Sequence, residues 1–234
     1  MGPGRPSRST DADVHAALAD SPLGTLPTHT LAGLLVGARW VRSLAGEVFQ
    51  HEGDAGAHIA LMVDGLARNV LHGVDGRSLT VRYARRGALL GTLSLYGGPY
   101  RLPGSTQAVV PSRMLALDAA LVRRTADRDP DVARALLEDL AARTREYITQ
   151  IHRAAFGSVR QRVARHLLDL ASEQRQGPVL MATITQQELA DAVGSVREVV
   201  VRTLAELRAA GIVTTRRGGV AILAPDRLLG ELDR

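Results

Sequence analysis

Arg197, Glu198 and Arg202 lie within one short stretch of the chain and together hold the chemistry for reading base edges. An arginine guanidinium donates two parallel hydrogen bonds to guanine O6 and N7, and a carboxylate accepts one from cytosine N4. Such contacts need a rigid carrier narrow enough to enter the DNA major groove. The run from Thr185 to Ala210, TQQELADAVGSVREVVVRTLAELRAA, has the pattern of one. Thr185 with Glu188 three residues on is a capping box, so a helix is expected to begin there. Ser195 with Glu198 repeats the device and predicts a second helix. Leu189, Val193, Val200 and Leu204 fall at inward-facing helical spacing, and Ala190 is small enough for the helices to cross closely. Gly194 supplies the freedom that the turn between them needs. This is a helix-turn-helix pattern, with Arg197, Glu198 and Arg202 on the exposed face of the groove-entering helix. Gln186 and Ser195 belong to the same expected DNA-contacting set.

The totals bound what surrounds this element. With 234 residues, 45% of them apolar and 3% aromatic, the chain has room for two modest domains with aliphatic cores. The formal net charge is +5, and every one of the 29 basic residues is Arg. That charge is compatible with a nucleic-acid partner, and arginine is the better residue for bidentate contacts to phosphate and guanine. The absence of cysteine excludes disulfides, cysteine-ligated zinc, thiol switches and iron–sulfur clusters held by cysteines. No apolar run approaches the ~20 residues of a membrane span. MGPGRPSRST lacks the apolar core of a secretory signal, so a cytoplasmic protein is expected.

In chain order, residues 1 to about 12 are rich in Gly, Pro, Ser and Arg and are expected to be disordered. Short helical pieces follow at Val14–Ala19 and at 28–37. From about Ala38, apolar runs of four to seven residues alternate with glycines, which describes a β-barrel or roll ending near Leu117. Within it, VLHGVDGRSLTV reads as a hairpin turning at Asp75-Gly76. A short helix is expected over residues 118–124, and Asp129-Pro130 opens a long one. In the long helix Ala133, Leu137, Leu140, Thr144, Tyr147, Ile151 and Ala154 alternate steps of four and three, the seam of a paired helix. The same stripe would also suit packing onto the roll. A two-fold DNA reader needs a dimer seam, so homodimerisation is expected. Phe156-Gly157-Ser158 reads as a hinge, the run from Val159 to Glu173 as a further helix and that from Gln174 to Met181 as a linker. The run from Ile212 to Leu223 reads as a β-hairpin wing around Arg216 and Arg217, which suit phosphate contacts.

This order of parts resembles the CRP/FNR family, named for the cyclic-AMP receptor protein and the fumarate–nitrate regulator. The resemblance spans about residues 20 to 230, and ITQQELADAVGSVREVVVRTLAELRAAGIV is its most specific piece. It implies an α+β chain of an N-terminal antiparallel β-roll, a long dimerisation helix and a C-terminal winged helix-turn-helix. The expected boundaries are an N-terminal arm at 1–20, the roll at 21–128, the dimerisation helix at 129–155 and the winged helix at 156–234. The family's R-E-x-x-x-R motif stands here as Arg197, Glu198 and Arg202, which implies guanine and cytosine contacts in a TGTGA-like, near-palindromic site. Glu198 also suits a plain role as the capping partner of Ser195. Double-stranded DNA and a second copy of the chain are the implied partners, with RNA polymerase as a further one.

The sensing half departs from the family pattern. Where cyclic-AMP binders have Gly-Glu-Leu, this chain has Gly91, Thr92 and Leu93, and Leu102-Pro103 stands where Arg-Ser is expected. Arg101 is one residue off. Tyr147 and Ile148 replace the Thr-Ser pair that meets adenine. These residues with Ser105 make up the expected effector pocket. A desolvated phosphate needs a paired cation, so cyclic AMP is not expected to bind in the usual way and the effector is left unnamed. His51, His58, His72 and His152 keep haem open, but no spaced pair such as H-x-x-x-H occurs, so surface or structural histidines are expected and no metal site. No catalytic motif is present, which speaks against an enzyme that carries a helix-turn-helix. A ligand-binding module acting on a protein partner is the remaining competitor, and the exposed Arg197, Glu198 and Arg202 argue against it.

Overall fold

A computed structural model describes residues 8–54, 59–74, 78–96, 101–174 and 180–233. The chain divides into two compact units. One holds the described residues up to 69 together with 82–147, and the other holds 70–81 and the residues from 148 onward.

The first unit opens with helices α1 (Arg8–Ala19) and α2 (Thr28–Leu34) and continues through β1 (Arg39–Ser43), β2 (Val48–Gln50) and β3 (Ile59–Asp64). Next in the chain come β4 (Ala67–His72) and β5 (Ser78–Ala84), whose residues 70–72 and 78–81 count with the other unit, and then β6 (Leu89–Leu90), β7 (Ser105–Ala108) and β8 (Ser112–Leu117). Helix α3 (Ala119–Ala126) follows, and then the long α4 (Pro130–Phe156), whose residues from 148 onward count with the other unit. The strands form two four-stranded sheets, in the orders β1-β8-β3-β6 and β2-β7-β4-β5. The antiparallel register of β3 on β8, with Leu61 opposite Leu115, shows how the pleat splits the core. Successive side chains of a strand face opposite sides. Ile59, Leu61 and Val63 of β3 therefore join Leu115 and Leu117 of β8 in one apolar cluster, completed by Val14, Ala17 and Leu18 of α1 and by Val132, Ala135 and Leu136 of α4. Met62 and Met114 point the other way, into a second cluster with Ala67, Ala84 and Leu90. This is the expected β-roll with helices on its outer side.

One difference from the expected layout here has a plain cause. Residues 8–12, expected to be disordered, belong to α1, whose apolar face is anchored in the roll's core by Val14, Ala17 and Leu18. Packing outweighs the polar composition of the first turn. Residues 1–7 and the turn expected at Asp75-Gly76 lie outside the described residues.

The second unit contains α5 (Val159–Glu173), β9 (Leu180–Ala182), α6 (Gln186–Ala192), α7 (Arg197–Ala209), β10 (Val213–Arg216), β11 (Gly219–Ile222) and α8 (Pro225–Gly230). The expected break after α4 falls at Gly157, and Ser158 caps α5 in a reciprocal capping box with Gln161. The wing is a three-stranded sheet in the order β10-β11-β9. Leu180 and Met181, expected in a linker, are thus strand residues, with Met181 opposite Ala221. Gly219 makes that pairing possible, because a Cβ there would sit 2.2 Å from the Ala182 carbonyl oxygen. Among the described residues no helix is long and apolar enough to cross a membrane.

Candidate nucleic-acid interface

Helix α6 begins as its sequence predicts. The Thr185 hydroxyl accepts from the Glu188 backbone N–H at 3.1 Å, and the Glu188 carboxylate accepts from the Thr185 N–H at 2.8 Å. Helix α7 begins differently. Its N-cap is Val196, without a side-chain cap, and not Ser195. The reason lies in how α6 ends. Gly194 takes a left-handed φ of 65°, and the Ser195 N–H donates to the Ala190 carbonyl at 3.0 Å. The Gly194 N–H turns back to Asp191 at 3.4 Å, completing a Schellman-type stop. Ser195 is consumed by the end of one helix and cannot also start the next. We therefore expect Thr185→Ala to cost about 1 kcal/mol in urea unfolding and Ser195→Ala almost nothing, although both read as caps in the sequence.

With Val196 at the N-cap of α7, Glu198 has no capping role. Leu189, Ala190, Val193, Val200 and Leu204 are buried between the helices, while Arg197, Glu198 and Arg202 stand exposed on the opposite face of α7. None of the three makes an ion pair or a side-chain hydrogen bond with another described residue. Neighbouring charges behave otherwise. Arg160 donates to Glu231 at 2.6 Å and to Glu206 at 3.0 Å, and the Glu231 hydrogen bond is the main reason its pKa is raised. Arg216 and Arg217 are exposed at the tip of the β10–β11 hairpin, while Gln186, at the start of α6, and Ser195, in the turn after it, are half-buried. The second unit thus exposes two guanidiniums and a carboxylate, without partners among the described residues, on a helix of 13 residues, and two further guanidiniums on a hairpin. Such a surface suits a base-edge reader with phosphate contacts beside it.

The expected effector residues are only partly brought together. Gly91, with φ of 80°, ends β6 and starts a short 3-10 helix at Thr92. The Thr92 hydroxyl is fully buried without a partner, and Leu93 is partly exposed. Arg101 instead donates to the Gly53 carbonyl at 2.9 Å, and the Ser105 hydroxyl accepts from the Glu52 N–H at 3.1 Å. Both are occupied in joining the segments around β2 and β7. Tyr147 is half-buried, and Ile148 is 60% exposed.

The sequence reading missed two arginines near this region, Arg143, which is buried, and Arg82, which is partly so. Arg143 of α4 lies 2.7 Å from the Asp139 carboxylate and donates to the Leu89 carbonyl just before Gly91. The Arg143–Asp139 approach is off the hydrogen-bonding direction, so it acts as a charge pair. Burial first, and then the neighbouring charge of Arg82, pulls the Arg143 pKa below its ordinary value. Arg82 in turn donates to Glu146 at 3.0 Å. The signal available was the i,i+4 spacing of Asp139 and Arg143, in line with Leu136 on the buried side of α4. Of the histidines, His72 contacts the Ser78 hydroxyl at 3.1 Å and His152 stacks on Phe156 at 5.1 Å, while His58 lies outside the described residues.

Comparisons with known proteins agree with this layout. Residues 161–230 match the Crp-like helix-turn-helix domain, and residues 40–129 match the cyclic nucleotide-binding domain. A transcriptional regulator LdrP of Thermus thermophilus is 32% identical over 185 residues, covering 76% of this chain and 88% of that protein. The cyclic AMP receptor protein of the same organism is 33% identical over 181 residues, with 76% and 80% covered. A crystal structure of a CRP/FNR-family transcriptional regulator, also from Thermus thermophilus, superposes with a TM-score of 0.72 at 25% identity, covering 84% of this chain and 99% of that one.

Proposed function

Because the chain belongs to the CRP/FNR family of bacterial transcription regulators, whose DNA-binding helix-turn-helix it carries, we propose that it acts in the cytoplasm as a homodimer on a near-palindromic, TGTGA-like site. Arg197 and Arg202 address guanines and Glu198 accepts from cytosine, with Arg216 and Arg217 on the flanking phosphates. The observation that carries this reading is the exposed, unpaired Arg197, Glu198 and Arg202 on a helix whose other face is fully buried. The two chains pair along α4, where Leu137, Ile148 and Ile151 are exposed on one stripe. The functional division is the roll at 21–128, the dimerisation helix at 129–155 and the winged helix at 156–234. No catalytic role is assigned, and RNA polymerase is the partner expected of a regulator acting at promoters.

The sensing half does not take cyclic AMP in the usual way. Thr92 brings no carboxylate, Arg101 is engaged with Gly53, and the buried Arg143 is already matched by Asp139. A phosphate entering here would meet cations that have internal partners, and displacing them leaves a buried carboxylate unpaired. The competing reading, a cyclic-nucleotide-responsive regulator, is favoured by the domain match over residues 40–129. Two measurements test both halves. Selection from random duplexes should return a two-fold symmetric consensus protected by the pure protein, and recovery of no consensus would remove the base-reading assignment. Calorimetric titration with cyclic AMP should give no saturable heat in the micromolar range, whereas such heat would establish the competing reading.

A further inference from the structure

Arg162 joins two backbone carbonyls that are far apart in the sequence. Its Nε donates to the Val193 carbonyl at 2.9 Å, and its Nη1 donates to the Gly157 carbonyl at 2.6 Å. The side chain is half-buried, and burial lowers its pKa. Gly157 is the single residue between the last residue of α4 and the cap of α5. Val193 is the C-cap of α6, three residues before the cap of α7, and its carbonyl is one of those that a helix end leaves without an intrahelical partner. Leu79, in this unit's share of β5, forms an isolated antiparallel bridge with the same Val193. The turn that aims α7 is thus held at one residue from two directions.

The neighbouring Arg160 finds two carboxylates, as a basic residue on a partly polar surface ordinarily does. Among the described residues Arg162 finds none, and it spends its planar fork on neutral carbonyls at the two joints of the unit. A planar guanidinium spans two acceptors at a set separation and angle, which the point charge of a lysine does not do. One side chain, in the first turn of α5, therefore ties the residue that follows α4 to the turn between α6 and α7.

We infer that Arg162 is a positioning residue that sets the direction of α7 relative to the end of α4 and thereby the half-site spacing the protein reads. The inference rests on the homodimer proposed above. In such a dimer α4 lies at the two-fold axis, so the pose of α7 relative to α4 fixes the distance between the two recognition helices. Base contacts within one half-site depend on Arg197, Glu198 and Arg202, which all lie on α7, so Arg162 governs spacing and not base choice.

The test uses the full-length protein and duplexes carrying two selected half-sites, whose separation is varied one base pair at a time, together with a duplex carrying one half-site. The wild-type protein is expected to prefer one separation by about tenfold or more over its neighbours. Arg162→Lys should reduce that preference to about threefold or less, while single half-site affinity stays within about twofold and the thermal transition is retained. Arg162→Gln, which keeps one amide donor, should behave in the same way. Retention of the wild-type spacing preference by Arg162→Lys overturns the inference. So does loss of single half-site binding together with the thermal transition in both variants, which makes Arg162 a plain folding requirement. A wild-type protein that sediments as a monomer and shows no spacing preference overturns the homodimer reading and this inference with it, and that failure is visible in the wild-type arm alone.

Discussion

Arg197→Ala is expected to weaken binding to the selected site by about 1–3 kcal/mol and to relax selectivity at a single guanine. The side chain is exposed and unpaired in the free protein, so its removal leaves no buried partner orphaned and folding stability should hardly change. The loss then reports the contact with DNA and nothing else. Titrating the variant against the consensus and against duplexes with each position substituted distinguishes a base reader from a phosphate contact. For a base reader, wild type and variant converge when the guanine is replaced. Arg217→Ala offers the contrast, because a phosphate contact on the wing should weaken all sequences alike and lower the salt dependence by about one released counterion. An Arg197→Ala protein that footprints its site as tightly as wild type would show that the assignment is wrong.

The legible parts of this chain were those in which local chemistry and tertiary packing ask for the same thing. Thr185 and Glu188 form a capping box in the sequence and in the structure, and Gly194 turns where only a residue tolerant of positive φ turns easily. Ser195 and Glu198 match the same motif equally well and form no box, because the Schellman-type stop of α6 has already taken the Ser195 N–H. A motif scan reads each helix start alone and does not see the preceding helix end claim the same residue. The strand β9 was hidden for a related reason. Three residues cannot show a period, and what makes them a strand is the register of Val220 on Ala182 across the wing. Arg162, Arg143 and Arg82 were unreadable as special in a chain whose basic residues are all arginine. Only the fold places Asp139 and the Leu89 carbonyl beside one of them, and two orphan carbonyls beside another.

The pairing proposed along α4 gives the other large effect. Leu137→Glu combined with Ile151→Glu should convert the protein to a monomer and lower its affinity for a two-half-site duplex by about 100-fold or more. Leu137 is 64% exposed and Ile151 67% exposed in the single chain, so neither contributes much to the fold of one copy. An unpaired helix carrying such an apolar stripe at heptad spacing has a reason to meet another helix, and a second copy presents the same stripe. Two glutamates on each chain would face each other across a two-fold axis, setting like charges together where apolar contact was expected. Without the partner, the second half-site must be bound as an independent event, so the effective-concentration advantage of a linked pair disappears while the contacts of each α7 remain. Sedimentation should show half the wild-type mass, and single half-site affinity should be unchanged. Leu136, one residue from Leu137 but only 1% exposed, supplies the control. Leu136→Ala should cost about 2–5 kcal/mol of folding stability through the cavity it leaves, whether or not the chains pair. If the double glutamate variant still sediments as a dimer, α4 is not the seam, and the exposed stripe of Leu137, Ile148 and Ile151 must be covered by something other than its own copy.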